Sequence, residues 1–176
     1  MIRISKPAPL FENVVAYKKG ANDFVKISLA DYRGKWLVFF FYPRDFTFIC
    51  PTELKGFSQH KSEFVSLNAE VLACSTDSEW SHKNWFEKDL PDVDYPILAD
   101  NTHNIAKAYD VYNEVDGLAE RGSFIIDPEG NIRYALVSSG SVGRSVTETL
   151  RVLKALQTGE LCPLEWSEGT KTLGKA

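Results

Sequence analysis

The sequence predicts an α/β fold: a central mixed β-sheet flanked by helices, with a short C-terminal extension. Three observations predict it. Trp36 to Tyr42 is apolar at every position and rich in aromatics, which suits a strand buried on both faces in the middle of such a sheet. Strand-like and helix-like segments alternate through most of the chain. The alternation ends in a hairpin followed by one more helix, which makes the sheet mixed.

In chain order, the first strong element is Phe24 to Leu29, where Val25, Ile27 and Leu29 alternate with Lys26 and Ser28, the pattern of a half-buried strand. A turn over Asp31-Tyr32-Arg33-Gly34 leads to the Trp36–Tyr42 strand, which Pro43 ends. After a loop, Arg44-Asp45-Phe46, a helical pattern runs from about Thr47 to Leu67, with Leu54, Phe57, Phe64 and Val65 able to share a face. Pro51 fits only in a first turn, where its missing N–H costs little. That places Cys50 at or beside the helix N-terminus.

Glu70 to Ser75 reads as a second buried strand. Asp77 or Ser78 can cap a helix to about Lys88. Pro96 to Ala99 is a short strand, and Thr102 to Ala108 a short helix. Ser123–Ile126 and Ile132–Val137 form a hairpin across Asp127-Pro128-Glu129-Gly130, a tetrad suited to a type I turn. The last helix starts at Ser145 with Glu148 three residues on, a capping box. Val146, Leu150, Leu153 and Leu156 form its apolar stripe, and Gly159 can close it.

The 176 residues fit one domain with a full core. A net charge of −4 argues against nucleic acid or an anionic membrane surface as the main partner, since both need a basic face. The N-terminus has no apolar run of signal-peptide length, and the longest apolar run, seven residues, is far short of the ~20 a spanning helix needs. A cytoplasmic location is expected. The three cysteines, Cys50, Cys74 and Cys162, make a poor disulfide framework. In a reducing compartment disulfides tend to be catalytic or redox-sensing. His60, His82 and His103 do not stand at metal-site spacing from them, so neither metal nor cofactor is expected.

Cys50 is the candidate nucleophile. The thiolate is the reactive form of cysteine, and a helix N-terminus favours negative charge through its free N–H groups and its dipole. Arg121 is a candidate cation beside it. Thr47, one helical turn earlier, has a hydroxyl that can donate and accept near the sulfur, and Pro43 can shield the site from bulk water. Peroxide reduction needs such a setting, because one oxygen is attacked while the other gains charge that fixed donors must stabilise. A cysteine after Phe-Ile in a helix can equally be an ordinary buried residue.

The full string separates these readings. Pro43-x-x-x-Thr47-x-x-Cys50 followed by Pro51-Thr52-Glu53 resembles the active-site signature of the peroxiredoxins. Within FFFYPRDFTFICPTEL it is similar to the typical two-cysteine class of alkyl hydroperoxide reductase C type. ACSTDSEWSHKNW, LAERGSFIIDPEGNIR, GRSVTETLR and GELCPLEW follow in family order and extend the resemblance over nearly the whole chain. The resemblance implies a thioredoxin-like fold, which a cysteine opening the helix after a central strand also fits.

By position, the resemblance makes Cys50 the peroxidatic cysteine, oxidised to a sulfenic acid. Thr47 and Arg121 would hold the peroxide oxygens and the thiolate, Pro43 would cover the site, and Glu53 and Arg144 would orient the arginine. Glu53 and Arg144 could otherwise be solvated charges. Cys162, 162 − 50 = 112 residues further on, becomes the resolving cysteine of a partner chain in a head-to-tail homodimer that can assemble as five dimers. Residues 1–158 would form the peroxiredoxin domain and 159–176 the extension carrying Cys162. The implied partners are a hydroperoxide and an external dithiol reductant, either thioredoxin or a dedicated flavoprotein; the chain has no Cys-x-x-Cys of its own. Cys74, in a predicted strand, reads as core, and Trp80 and Trp85 as core or subunit contact.

Oxidant-sensitive members of the family carry a Gly-Gly-Leu-Gly insert and a C-terminal Tyr-Phe helix. Here Asp89-Leu90-Pro91-Asp92-Val93 stands in place of the insert, and the sequence runs 176 − 162 = 14 residues past Cys162. Resistance of Cys50 to over-oxidation is expected. Two other activities stay open at this point. A disulfide oxidoreductase is disfavoured because Glu53 stands where its second cysteine would be, and a chaperone or redox adaptor on the same fold would lack peroxidase activity.

Overall fold

In the computed structural model, which describes residues 2–175, the chain enters as an antiparallel pair, β1 (Val14–Tyr17) and β2 (Val25–Ile27). Strand β1 is not expected from the sequence. Strand β2 is shorter than the predicted 24–29 because a 3₁₀ turn takes over at Leu29–Tyr32. Its cause is local: the Asp31 carboxylate accepts the Ser28 N–H at 2.8 Å and ends the extended chain. Gly34 follows at φ +83°, a conformation that glycine adopts without penalty.

Strand β3 (Trp36–Phe41) runs up the middle of the sheet. The expected single helix over 47–67 is two helices, α1 (Cys50–Gln59) and α2 (Lys61–Ser66). The break lies at His60, whose ring Nδ1 bonds the Gly56 carbonyl at 2.9 Å. A continuing helix would give that carbonyl to the His60 backbone N–H. After β4 (Ala69–Ser75), helix α3 (Glu79–Asp89) is capped by Ser78, which accepts the Ser81 N–H at 3.2 Å. Then come β5 (Ile97–Ala99) and α4 (Asn104–Ala108). The buried Asp100 carboxylate accepts the N–H groups of Ile105 and Ala106 at 3.1 and 2.7 Å, which fixes the start of α4.

A small hairpin, β6 (Tyr112–Asn113) with β7 (Leu118–Ala119), precedes the main one, β8 (Arg121–Ile126) with β9 (Ile132–Ser138). The main turn closes as expected, with Gly130 N–H donating to the Asp127 carbonyl at 2.8 Å. The seven-stranded sheet has the order β2-β1-β5-β4-β3-β8-β9. Strands β3, β4 and β5 are parallel and the other pairings antiparallel, so the sheet is mixed.

Alternation along β3 splits its side chains between two faces. Leu37, Phe39 and Phe41 join Phe11, Tyr109 and Phe124 in one apolar cluster. Phe40 points the other way and stacks on Phe57 of α1 at 4.4 Å between ring centroids. Both faces are dry, which is why the strand is apolar throughout. This stacking fixes α1 over the sheet and holds its first residue, Cys50, beyond the C-terminal end of β3.

The chain divides into two compact units, Met1–Arg144 and Ser145–Ala176. The second holds α5 (Val146–Thr158) and the tail. Ser145 accepts the Glu148 N–H at 3.1 Å, but the Glu148 carboxylate pairs with Arg151 at 2.6 Å, so only half of the expected capping box forms. Gly159 closes the helix in the left-handed conformation, at φ +64°. Among the described residues no helix is long and apolar enough to cross a membrane.

Candidate active site

Cys50 is the first residue of α1 and is 1 % exposed. The N–H groups of Thr52 and Glu53 are taken by the Ile49 carbonyl at 3.0 and 3.3 Å, and Pro51 has none. The sulfur therefore meets its cation from the side: Arg121 Nη1 lies 3.4 Å from Cys50 Sγ. A guanidinium is charged at any physiological pH, so a full positive charge stands beside the sulfur.

Arg121 does not stand alone. Its Nη1 also donates to Glu53 Oε2 at 2.6 Å and its Nε to the Gly140 carbonyl at 3.0 Å. Glu53 sits one turn along α1 from Cys50, so the helix that carries the thiol also carries the anchor of the arginine. Both Glu53 oxygens are occupied. Oε1 accepts the Arg144 backbone N–H at 2.8 Å and its Nε at 2.9 Å, and Oε2 accepts Arg144 Nη2 at 2.8 Å. The Arg144 side chain is 1 % exposed; it reaches the carbonyls of Phe41 and Gly122 at 2.7 and 2.8 Å and covers the Phe40 ring. The alternative of solvated charges for Glu53 and Arg144 is thus overturned by their burial. For Glu53, burial by itself would push the carboxyl up, yet the Arg144 and Arg121 bonds outweigh it and hold the group below its ordinary range.

Thr47 does not open the helix as the sequence pattern predicts. It lies before α1, not inside it, and its hydroxyl donates to the Arg44 carbonyl at 2.9 Å. Its oxygen remains able to accept. Pro43 is half-buried at the exit of β3. Between them, Phe46 has φ +55°, a left-handed backbone that is strained for a bulky residue.

What holds this loop was not read from the sequence. Asp45 is buried and accepts from Tyr42 at 2.7 Å, from Ser81 at 2.7 Å and from the His82 ring at 2.8 Å. The Asp45 N–H donates to Asp77 Oδ2 at 3.0 Å, which Ser75 also serves at 2.7 Å. His82 reaches the Leu98 carbonyl at 3.2 Å through its second nitrogen. Burial, then the charge of Asp45, push the Tyr42 hydroxyl up, so it stays a donor. This network fastens the Pro43–Cys50 loop to α3 and to the ends of β4 and β5. Asp45 and His82 stand 82 − 45 = 37 positions apart, and no spacing rule pairs them.

Cys74 lies in β4, fully buried in the apolar cluster. Burial first, and Asp100 second, push its thiol up, which suits a core residue and not a nucleophile. Trp85 is buried, and Trp80 is exposed apart from its edge contact with Phe24. In the second unit, Cys162 is a partly exposed free thiol just past α5. Its Sγ lies 3.5 Å from Thr158 Oγ1 and 3.7 Å from the Ala155 carbonyl.

The profile of the AhpC/TSA family matches residues 4–135. A putative peroxiredoxin in the rubredoxin operon of Clostridium pasteurianum is 50% identical over 175 residues, covering 97% of this chain and 98% of that protein. A thioredoxin peroxidase of Trypanosoma brucei rhodesiense is 48% identical, covering 97% of this chain and 89% of its own. Among solved structures, a reduced 2-Cys peroxiredoxin of Plasmodium vivax superposes with a TM-score of 0.90 at 33% identity, covering 96% of this chain and 91% of its own. AhpC of Enterococcus faecalis superposes at 0.87 and 38% identity, covering 93% of this chain and 100% of its own. The mixed sheet flanked by helices is the thioredoxin-like fold of these neighbours.

Proposed function

Because this chain belongs to the AhpC/TSA family of peroxiredoxins, we propose that its thiol-dependent reduction of peroxides takes place at Cys50. The observation that carries this reading is the Arg121 guanidinium 3.4 Å from a sulfur that opens a helix. The Cys50 thiolate attacks one oxygen of a hydroperoxide, either hydrogen peroxide or an organic one. The S–O bond forms as the O–O bond breaks. The departing oxygen takes a proton and leaves as water or alcohol, and the sulfur, oxidised by two electrons, is left as sulfenic acid. Arg121 and Thr47 hold the two oxygens, Pro43 covers them, and Glu53 with Arg144 fixes Arg121.

Cys162 of a second copy then condenses with that sulfenic acid. The S–S bond forms, and the hydroxyl leaves with the thiol proton as water. An external dithiol, from thioredoxin or a flavoprotein, restores both thiols by exchange. The name of the trypanosome relative supports the thioredoxin choice. On this reading residues 1–158 are the catalytic domain and 159–176 the extension bearing Cys162. The protein works in the cytoplasm as a homodimer that can assemble as five dimers. A Cys-x-x-Cys type oxidoreductase gains no support, since Glu53 occupies the second cysteine's position and its carboxylate is engaged by two arginines.

Non-reducing gels after stoichiometric hydrogen peroxide test the reading. Wild type should give a disulfide-linked dimer, and neither Cys50→Ser nor Cys162→Ser should form it at the wild-type rate. Peroxide consumption in a single turnover should disappear only in Cys50→Ser. A Cys50→Ser protein that still consumes peroxide overturns the assignment.

A further inference from the structure

The environment of Cys162 assigns a role to a residue outside the signature. Thr158 is the last residue of α5, and its hydroxyl has one hydrogen and two lone pairs. The hydrogen goes to the Ala155 carbonyl at 2.7 Å. The oxygen accepts the Glu160 N–H at 3.1 Å and stands 3.5 Å from Cys162 Sγ. With its hydrogen engaged, Thr158 offers the sulfur only a lone pair. The other polar neighbour of the sulfur, the Ala155 carbonyl at 3.7 Å, is also an acceptor. Both groups lie at the C-terminal end of a helix, where unpaired carbonyls make the field negative. Such a site accepts an S–H.

The backbone beside it is closed as well. Leu161 N–H donates to the Gly174 carbonyl at 2.9 Å, and Leu173 N–H returns to the Leu161 carbonyl at 2.8 Å. Thr172 bonds Glu160, Lys154 pairs with Glu168, and the Arg151 guanidinium holds the Trp166 carbonyl. The tail is therefore an ordered clasp beside the thiol.

We propose that Thr158 is a positioning residue for the second half of the cycle, docking Cys162 through an S–H hydrogen bond that must be released before the thiol condenses with the sulfenic acid. This rests on the reading of Cys162 as the resolving cysteine. Removing the acceptor loosens the dock and speeds resolution relative to the first step. The chemistry is unchanged: the Cys162 S–H proton and the Cys50 hydroxyl still leave together as water.

Rapid mixing of the reduced full-length protein with hydrogen peroxide, quenched and analysed by mass spectrometry, yields the rates of sulfenate formation and of its conversion to disulfide. Their ratio is the readout. Thr158→Val and Thr158→Ala should each raise the ratio of resolution to oxidation about threefold, the scale of one weak hydrogen bond. Thr158→Ser, which keeps the hydroxyl, should return it to the wild-type value. An unchanged or lowered ratio in the valine and alanine variants, or a serine variant that behaves like them, overturns the proposal. Cys162→Ser in the same experiment separates the two ideas. If its sulfenate still becomes a disulfide at the wild-type rate, the resolving assignment itself is wrong; if it does not, an unchanged Thr158→Val ratio counts against the dock alone.

Discussion

Replacing Arg121 by alanine should slow peroxide attack on Cys50 by about 10²- to 10³-fold, the usual cost of removing one preorganised donor from a developing charge. Its guanidinium does two things at once: Nη1 faces the sulfur at 3.4 Å, and the same nitrogen is held by Glu53 at 2.6 Å while Nε is held by Gly140. Arg121→Lys should recover little, because an ammonium on a flexible stem lacks the planar fork that meets these partners together. The fold should survive, since Glu53 keeps Arg144. Single-turnover peroxide consumption is the measurement. A rate within threefold of wild type for the alanine variant would mean that the charge beside the sulfur is not what activates it.

Replacing Glu53 by alanine should produce the largest loss of stability among the polar residues of the site. It leaves the Arg121 and Arg144 guanidiniums buried without their shared anion. Breaking a buried pair by removing one partner costs about 3–5 kcal/mol, or roughly 10 °C in Tm for a chain of this size. The pH dependence carries a sign. The folded-state carboxyl is held below its ordinary value of 4.5, so its contribution is present above that value and is lost as pH falls through the folded one. The gap in stability between wild type and Glu53→Ala should be full at pH 7 and close in strong acid. Chemical denaturation at several pH values tests this; equal midpoints at pH 7 would show that the two arginines do not need the carboxylate.

Much of the scaffold was legible because single local rules decided it. Strand β3 announced itself by lacking any polar residue, the Asp127–Gly130 turn by its residue order, and the ends of α5 by Ser145 and Gly159. The placement of Cys50 followed from Pro51, which fits only the first turn of a helix. Features that depend on distant side chains stayed hidden. Strand β1 is four residues, VVAY, with no alternation to distinguish it. The break at His60 comes from a ring capturing a carbonyl of the preceding turn, which propensity does not report. Thr47 and Phe46 take their conformations from a loop anchored through Asp45 to His82 and Asp77, partners contributed by a later helix and the bend that precedes it. Arg121 and Glu53 were found by family position, whereas the sharing of Glu53 between two arginines emerged only in three dimensions.

Arg144 ends the first unit, and its side chain is held by Glu53 and by the carbonyls of Phe41 and Gly122. A trypsin-like protease must draw an arginine side chain into its own pocket before it can cut. The bond from Arg144 to Ser145 is therefore concealed from such an enzyme, although it lies at a unit boundary where cleavage would ordinarily be expected. Scission there would signal that the ion network beneath Cys50 had already come apart.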